Sequence, residues 1–212
     1  MLWFDGDWTY NDGAPTLSKW WTTSDAIELY DYLMDLDSTL LVNERIIRGF
    51  GLGDFDCAEG NVPGTPLSRQ WETCRNMNGS WGYNKHKMDN YKTPATLIRE
   101  MVKTVSRDGN YLLNIGPKGD GTVPSQEVAI LNAFGQWMSV YGESIYGTTR
   151  SPYPSEPSWG FYTKKPGRIF VHVFYWPSGD VLTIPSSTHP VSRICLLNDT
   201  STALDFTENA GS

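Results

Sequence analysis

The sequence has no apolar run approaching ~18 residues, so it offers no transmembrane helix and no membrane partner is expected. Charge is sparse at 19% of residues, and what there is leans acidic: 17 Lys and Arg against 24 Asp and Glu give −7. A nucleic-acid binder needs a basic surface to displace counterions from phosphates, so that class is excluded. Histidine is scarce, and His86, His172 and His189 form no metal-ligand spacing. The three cysteines, Cys57, Cys74 and Cys195, are odd in number and widely spaced, which suits neither a disulfide framework nor a zinc set. Met1 to Gly6 has no basic n-region and no long apolar h-region, so no signal peptide is expected, and the cellular location stays open. There is no internal repeat and no low-complexity tract.

Apolar and aromatic residues are plentiful. With 39% hydrophobic residues in 212, a packed core is expected and wholesale disorder is not. Nine Trp, eleven Tyr and eight Phe make 13% of the chain. Aromatic rings fill cores, and they also stack on the C–H faces of sugars; composition alone leaves both readings open.

Along the chain, a short apolar segment, Met1 to Phe4, runs into Asp5-Gly6-Asp7-Trp8. A strand ending in a carboxylate and a glycine presents a side chain at the carboxyl end of an α/β sheet. Thr23-Ser24-Asp25 reads as a helix start, with Ile27, Tyr30, Leu33 and Met34 at helical spacing behind it. Thr39 to Asn43 is a continuous apolar run that predicts a buried strand. Arg48 to Arg69 has many glycines and no periodicity, so it reads as a long loop. Gln70 to Arg75 predicts a third strand. Thr93-Pro94 opens a helix whose stripe is Leu97, Ile98, Met101, Val102 and Val105, with Gly109 as its stop. Tyr111 to Ile115 predicts a fourth strand, and a last helix starts near Ser125.

Past residue 150 the pattern changes. Pro152, Pro154 and Pro157 read as a linker, and short strands are predicted at Gly160–Lys164, Arg168–Tyr175, Val181–Ile184 and Arg193–Leu197. The expected organisation is therefore α/β: about four β/α units over 1–150, then a small antiparallel β-sandwich over 151–212. Four units are half of a (β/α)8-like barrel, here its C-terminal half; a small open α/β sheet complete in itself is the alternative.

Several residues could carry chemistry. Asp5 sits at a strand end among Trp3, Phe4 and Trp8, where apolar walls strengthen a carboxylate's electrostatics; it could equally be a turn-former before glycine, and Asp7 is a rival. Glu59, in the long loop, could be a general acid or base, or a solvated surface glutamate. Glu72 is a second candidate whose strand setting favours a structural carboxylate. Arg45 could donate to a hydroxylated ligand or simply pair with an acid. Two carboxylates and several tryptophans suggest glycoside hydrolysis.

The order of motifs adds to this reading. Trp3-Phe4-Asp5-Gly6-Asp7-Trp8, Val42-Asn43-Glu44-Arg45, Asp54-Phe55 through Glu59 and Trp71-Glu72-Thr73-Cys74 follow one another. Ser80-Trp81-Gly82-Tyr83-Asn84, Gly109 through Pro117, Asp120 through Pro124 and Gly142 through Gly147 complete the series. In this the chain resembles the α-L-fucosidases of glycoside hydrolase family 29, from residue 1 to about 150 and weakly beyond. The resemblance implies a retaining exo-glycosidase that cleaves terminal α-L-fucosyl linkages of fucosylated oligosaccharides through a covalent fucosyl-enzyme. It implies Asp5 as the nucleophile and Glu59 as the acid/base, with Trp3, Arg45 and Trp81 lining the fucose pocket. It implies no metal and no cofactor. Transfer of fucose to another sugar is open to any retaining enzyme. Family members carry a first barrel half that this sequence lacks, and none of its three histidines matches the pocket histidines of that half. A homo-oligomer or a complementing N-terminal half is therefore expected. The competing reading is an inactive fragment that binds fucosylated glycans or is a structural relic.

Overall fold

The computed structural model describes residues 1–6, 21–179, 181–187 and 189–208. The Trp-rich segment that follows Asp5-Gly6, with Asp7 and Trp8, lies outside them.

The described residues divide into two compact units, Met1–Arg75 with Asp108–Leu113, and Asn76–Arg107 with Asn114–Ser212. The first unit is a sheet laid down in chain order. Leu2 bridges Val42 in parallel, and Asn43 bridges Phe55 in parallel. β1 (Asp56–Glu59) pairs in parallel with β2 (Trp71–Asn76), and β3 (Gly109–Asn114) hydrogen-bonds beyond β2. β1 falls inside the segment expected to be a structureless loop. Its four residues are too few to show alternation, and only pairing with β2 makes them a strand.

The helix α1 (Thr23–Leu36) starts on a capping box: Thr22 Oγ1 accepts from Asp25 N at 3.3 Å, and Asp25 Oδ2 accepts from Thr22 N at 2.8 Å. It buries Ala26 and packs Leu29, Tyr30 and Leu33 with Val42, Ile46 and Ile47, the core of this unit. One acid, Asp54, ties its loop to that core. Asp54 accepts from Val42 N at 2.8 Å and from the Tyr30 hydroxyl at 3.1 Å. At Gly53, with φ +85°, a Cβ would stand 2.8 Å from the Asn43 carbonyl, so only glycine fits there.

The second unit carries α2 (Pro94–Val105), α3 (Ser125–Tyr141) and β4 to β7. Thr93 Oγ1 caps α2 by accepting from Thr96 N at 3.1 Å, with Pro94 in the first turn, as the sequence predicts. The predicted stop differs. Asp108 takes the left-handed conformation at φ 62°, and Gly109 is already the first residue of β3. β4 (Gly160–Lys165) and β5 (Arg168–Val173) form an antiparallel hairpin across Pro166-Gly167. The expected strand over 181–184 is not formed, whereas β6 (Cys195–Leu196) pairs with an unforeseen β7 (Asp199–Ala203). Polar β7 lacks the alternation by which a half-buried strand is recognised. Among the described residues no helix is long and apolar enough to cross a membrane.

Candidate active site

Asp5, Arg45 and Glu59 of the first unit sit at or just beyond the carboxyl ends of its parallel segments. Parallel pairing sends directly paired side chains to the same face. The register Cys57↔Glu72 and Glu59↔Cys74 therefore puts all four on one face, and Asp56, Ala58, Trp71 and Thr73 on the other.

Asn43 fixes the first segment. Its amide accepts from Phe4 N at 2.8 Å and donates to Phe4 O at 2.9 Å, standing in for a backbone pair and pinning the residue before Asp5. Glu44 Oε1 accepts from Cys57 N at 2.9 Å, tying the following turn to β1. That turn, a single 3-10 turn over Glu44–Ile46, points Arg45 inward, where it is 3% exposed.

Arg45 is the centre of the cluster. One terminal nitrogen donates to Asp5 Oδ1 at 2.8 Å and the other to Glu59 Oε2 at 2.7 Å. Its guanidinium lies over the Trp3 ring, 4.6 Å from the centroid. Trp3 in turn donates its indole N–H to Glu72 Oε1 at 2.9 Å. Arg48 stands as a second cation 3.8 Å from Asp5. Burial opposes the Arg45 charge, but the Asp5 hydrogen bond and the Glu59 charge outweigh it and push its pKa above the ordinary value. Asp5 and Glu59 are 48% and 44% exposed. A buried cation thus holds two carboxylates that remain open to a ligand. Arg45 Nε is buried with no hydrogen-bond partner among the described residues.

Asp5, Arg45, Glu59 and Trp3 are therefore brought together, although nothing in their spacing of 40 and 14 residues shows it. Glu59 ends a strand and does not sit in a structureless loop, which gives its carboxylate a fixed origin. Glu72 is 9% exposed, and its Oε1 accepts from the Trp3 indole and from the Cys74 thiol, 3.7 Å away. Trp81 belongs to the second unit, where it is 40% exposed and its carbonyl accepts from the Asn114 amide at 2.6 Å. Sequence reasoning missed the parts of Asn43, Glu44 and Arg48. The one available signal was an amide ending an otherwise apolar run. His172, unassigned in the sequence, is a core group of the second unit bonded to Thr163. Among the described residues no three His, Cys, Asp or Glu side chains are grouped to hold a metal.

The family model for α-L-fucosidase matches residues 1–143, which includes every member of this cluster. The chain belongs to the α-L-fucosidase family. Tissue α-L-fucosidase of Mus musculus is 31% identical over 207 residues, covering 93% of this chain and 44% of that protein. The Bos taurus tissue enzyme is 29% identical over 208 residues, covering 94% and 43%. Among solved structures, a family 29 α-L-fucosidase of Bacteroides thetaiotaomicron, captured as a trapped covalent intermediate, matches 99% of this chain and 51% of its own. Its TM-score is 0.83 at 25% identity. The Thermotoga maritima α-fucosidase solved with fucose gives a TM-score of 0.63 at 32% identity over 75% of this chain. The α/β fold is thus that of the fucosidases, and the chain spans less than half the length of the curated relatives it matches.

Proposed function

We propose that this chain carries the two catalytic carboxylates of a retaining exo-α-L-fucosidase, Asp5 as nucleophile and Glu59 as acid/base. The observation that carries the reading is Arg45, one buried guanidinium bonded to both at 2.8 and 2.7 Å. A fixed cation there keeps two acids close that would otherwise repel one another.

In the first step an Asp5 oxygen bonds to the anomeric carbon while the glycosidic C–O bond breaks, and the leaving oxygen takes the proton from Glu59. Arg45 offers only N–H donors, so a protonated Glu59 must turn its O–H away from the guanidinium and toward that oxygen. In the second step Glu59 takes a proton from water, the water oxygen bonds to the anomeric carbon, and the Asp5 ester breaks. A sugar hydroxyl in place of that water gives transfucosylation. Trp3 and Arg45 are proposed to line the fucose pocket, with fucosylated oligosaccharides as the substrate class.

The parallel segments of the first unit, each following the last in chain order, support the second half of a (β/α)8-like barrel over about residues 1–150. The hairpins after residue 150 support a small antiparallel β-domain, in which a sandwich is the arrangement proposed. The curated relatives matched are more than twice as long, and further pocket walls are proposed to come from outside these residues. For the 212 residues by themselves, a second copy or a separate first half could supply them. Light scattering distinguishes these, and a stable monomer that turns over substrate on its own overturns both.

The test is hydrolysis of an aryl α-L-fucoside by the parent, Asp5→Asn and Glu59→Gln, together with mass spectrometry after 2-fluoro-fucosyl fluoride. Turnover by the parent alone, with a 2-fluoro-fucosyl adduct on the peptide holding Asp5 and loss of the anomeric fluoride, is the expected result. No turnover and no adduct from folded protein, even with a separate first barrel half added, overturns the reading and leaves glycan binding without catalysis or a structural relic.

A further inference from the structure

The mechanism above uses Asp5, Glu59 and Arg45 but leaves a third carboxylate of the same face unexplained. Glu72, the second residue of β2, is 9% exposed, and a carboxylate is costly to keep so buried. Its Oε1 accepts from the Trp3 indole at 2.9 Å and from the Cys74 thiol at 3.7 Å. Cys74 is itself buried, and its thiol pKa is pushed well above the ordinary range by its hydrogen bond with Cys57, by burial and by the Glu72 charge, so it stays a neutral donor.

An indole has two rotatable bonds, and a hydrogen bond at Nε1 fixes the ring plane about the second. The Trp3 plane is what Arg45 rests on, with its guanidinium carbon 4.6 Å from the centroid. Attraction of a cation to a ring depends on the cation lying over the face, and a negative charge on the N–H side adds electron density to that face. The guanidinium is planar and its donors are fixed in a fork, so the plane of Arg45 decides whether both ends reach their carboxylates. Tilting it lengthens one of the bonds to Asp5 and Glu59, now 2.8 and 2.7 Å. The contacts run in one series: Glu72 to Trp3, Trp3 to Arg45, Arg45 to both carboxylates.

We propose that Glu72 is a positioning residue: acting through Trp3, it sets the plane of the Arg45 guanidinium that holds Asp5 and Glu59. Its kinetic consequence rests on the fucosidase reading; the geometric consequence does not.

The experiment is a double-mutant cycle on the intact chain with Glu72→Met, Trp3→Phe and the two combined, beside Glu72→Gln. One readout is exchange of the Arg45 Nη–H protons with water by NMR, which needs no turnover. The other is kcat and KM on an aryl α-L-fucoside. Glu72→Met and Trp3→Phe are each expected to speed Arg45 exchange about tenfold, and the double variant to match the single ones, because the two residues act in series. Glu72→Gln keeps an acceptor for the indole and stays within about threefold of the parent. In turnover, Glu72→Met lowers kcat by about 30-fold or more with KM within about threefold, and Glu72→Gln restores most of it. A purely structural Glu72 would lower the melting temperature without touching Arg45 exchange, and that result overturns the proposal. So do effects that multiply in the double variant. If Glu72→Met does not fold, Glu72→Ala carries the cycle: a change in the parent background and none on Trp3→Phe support it, and equal changes in both, or no change in the parent background, overturn it. Coupled exchange in a protein that never turns over substrate sinks the fucosidase reading and leaves the positioning role standing.

Discussion

Gly109 is the position where the smallest possible change should do the most damage. A Cβ at Gly109 would stand 2.4 Å from Cζ2, 2.5 Å from Cη2 and 2.6 Å from Cε2 of Trp71. Carbon atoms settle at about 3.5–4.0 Å, so the indole must retreat by about 1 Å. It has nowhere easy to go, because Trp71 is 0% exposed and its backbone is locked into the sheet opposite Asp56. Overpacking of this kind costs about 3 kcal/mol. For a chain of this size that corresponds to a melting temperature lower by about 6–12 °C. Replacing glycine by alanine in a strand would otherwise be mildly favourable, so the sign of the effect comes from Trp71 alone. The assay is thermal and urea unfolding of Gly109→Ala beside Gly119→Ala, whose Cβ meets nothing within 4 Å. The midpoint should fall for Gly109→Ala with an unchanged urea slope, and Gly119→Ala should melt like the parent. If Gly109→Ala melts within about 2 °C of the parent, the close approach of β3 to Trp71 is refuted.

Two further outcomes follow from buried groups. Burial lowers the His172 pKa from its ordinary 6.5 to about 4, and its ring bonds Thr163 Oγ1 at 3.0 Å. The unfolded chain therefore binds a proton below pH 6.5 that the folded chain refuses until about pH 4. Stability from this group is complete above pH 6.5 and falls by about 3 kcal/mol as pH drops to 4. Urea titrations at pH 7.5 and 4.5 should show that loss shrink in His172→Gln, and an unchanged loss refutes the assignment. Arg45→Lys keeps the charge but not the fork, so one of the two carboxylates is released. Because Asp5 and Glu59 are about half exposed, stability should change by no more than about 1 kcal/mol. Turnover of an aryl α-L-fucoside should nevertheless fall about 100-fold, and a loss under about threefold refutes a bridging role for the guanidinium.

Local signals carried the helices well and the sheet only in part. Thr93-Pro94 marks the start of α2 in the sequence and in the structure, because a cap is made by neighbours in the chain. The end of that helix was misplaced by a residue or two: a glycine reads as a stop, yet Asp108 makes the left-handed turn and Gly109 is needed for Trp71. β1 and β7 were not legible, since β1 is too short to show alternation and β7 shows none, and each is a strand only through its pairing.

The candidate site divides the same way. The sequence by itself determined the residue types, their order and the family they resemble: Asp5 before a glycine, Arg45 after an apolar run, Glu59 within a glycine-rich stretch and Glu72 after it. Covalent order stores that much. Only the tertiary structure decided that a single buried guanidinium joins Asp5 to Glu59, that Trp3 lies beneath it, and that Glu72 turns to the indole and not to solvent. Those facts depend on the parallel register, which is set by burial and hydrogen bonding between segments far apart in the chain, and no local pattern records it.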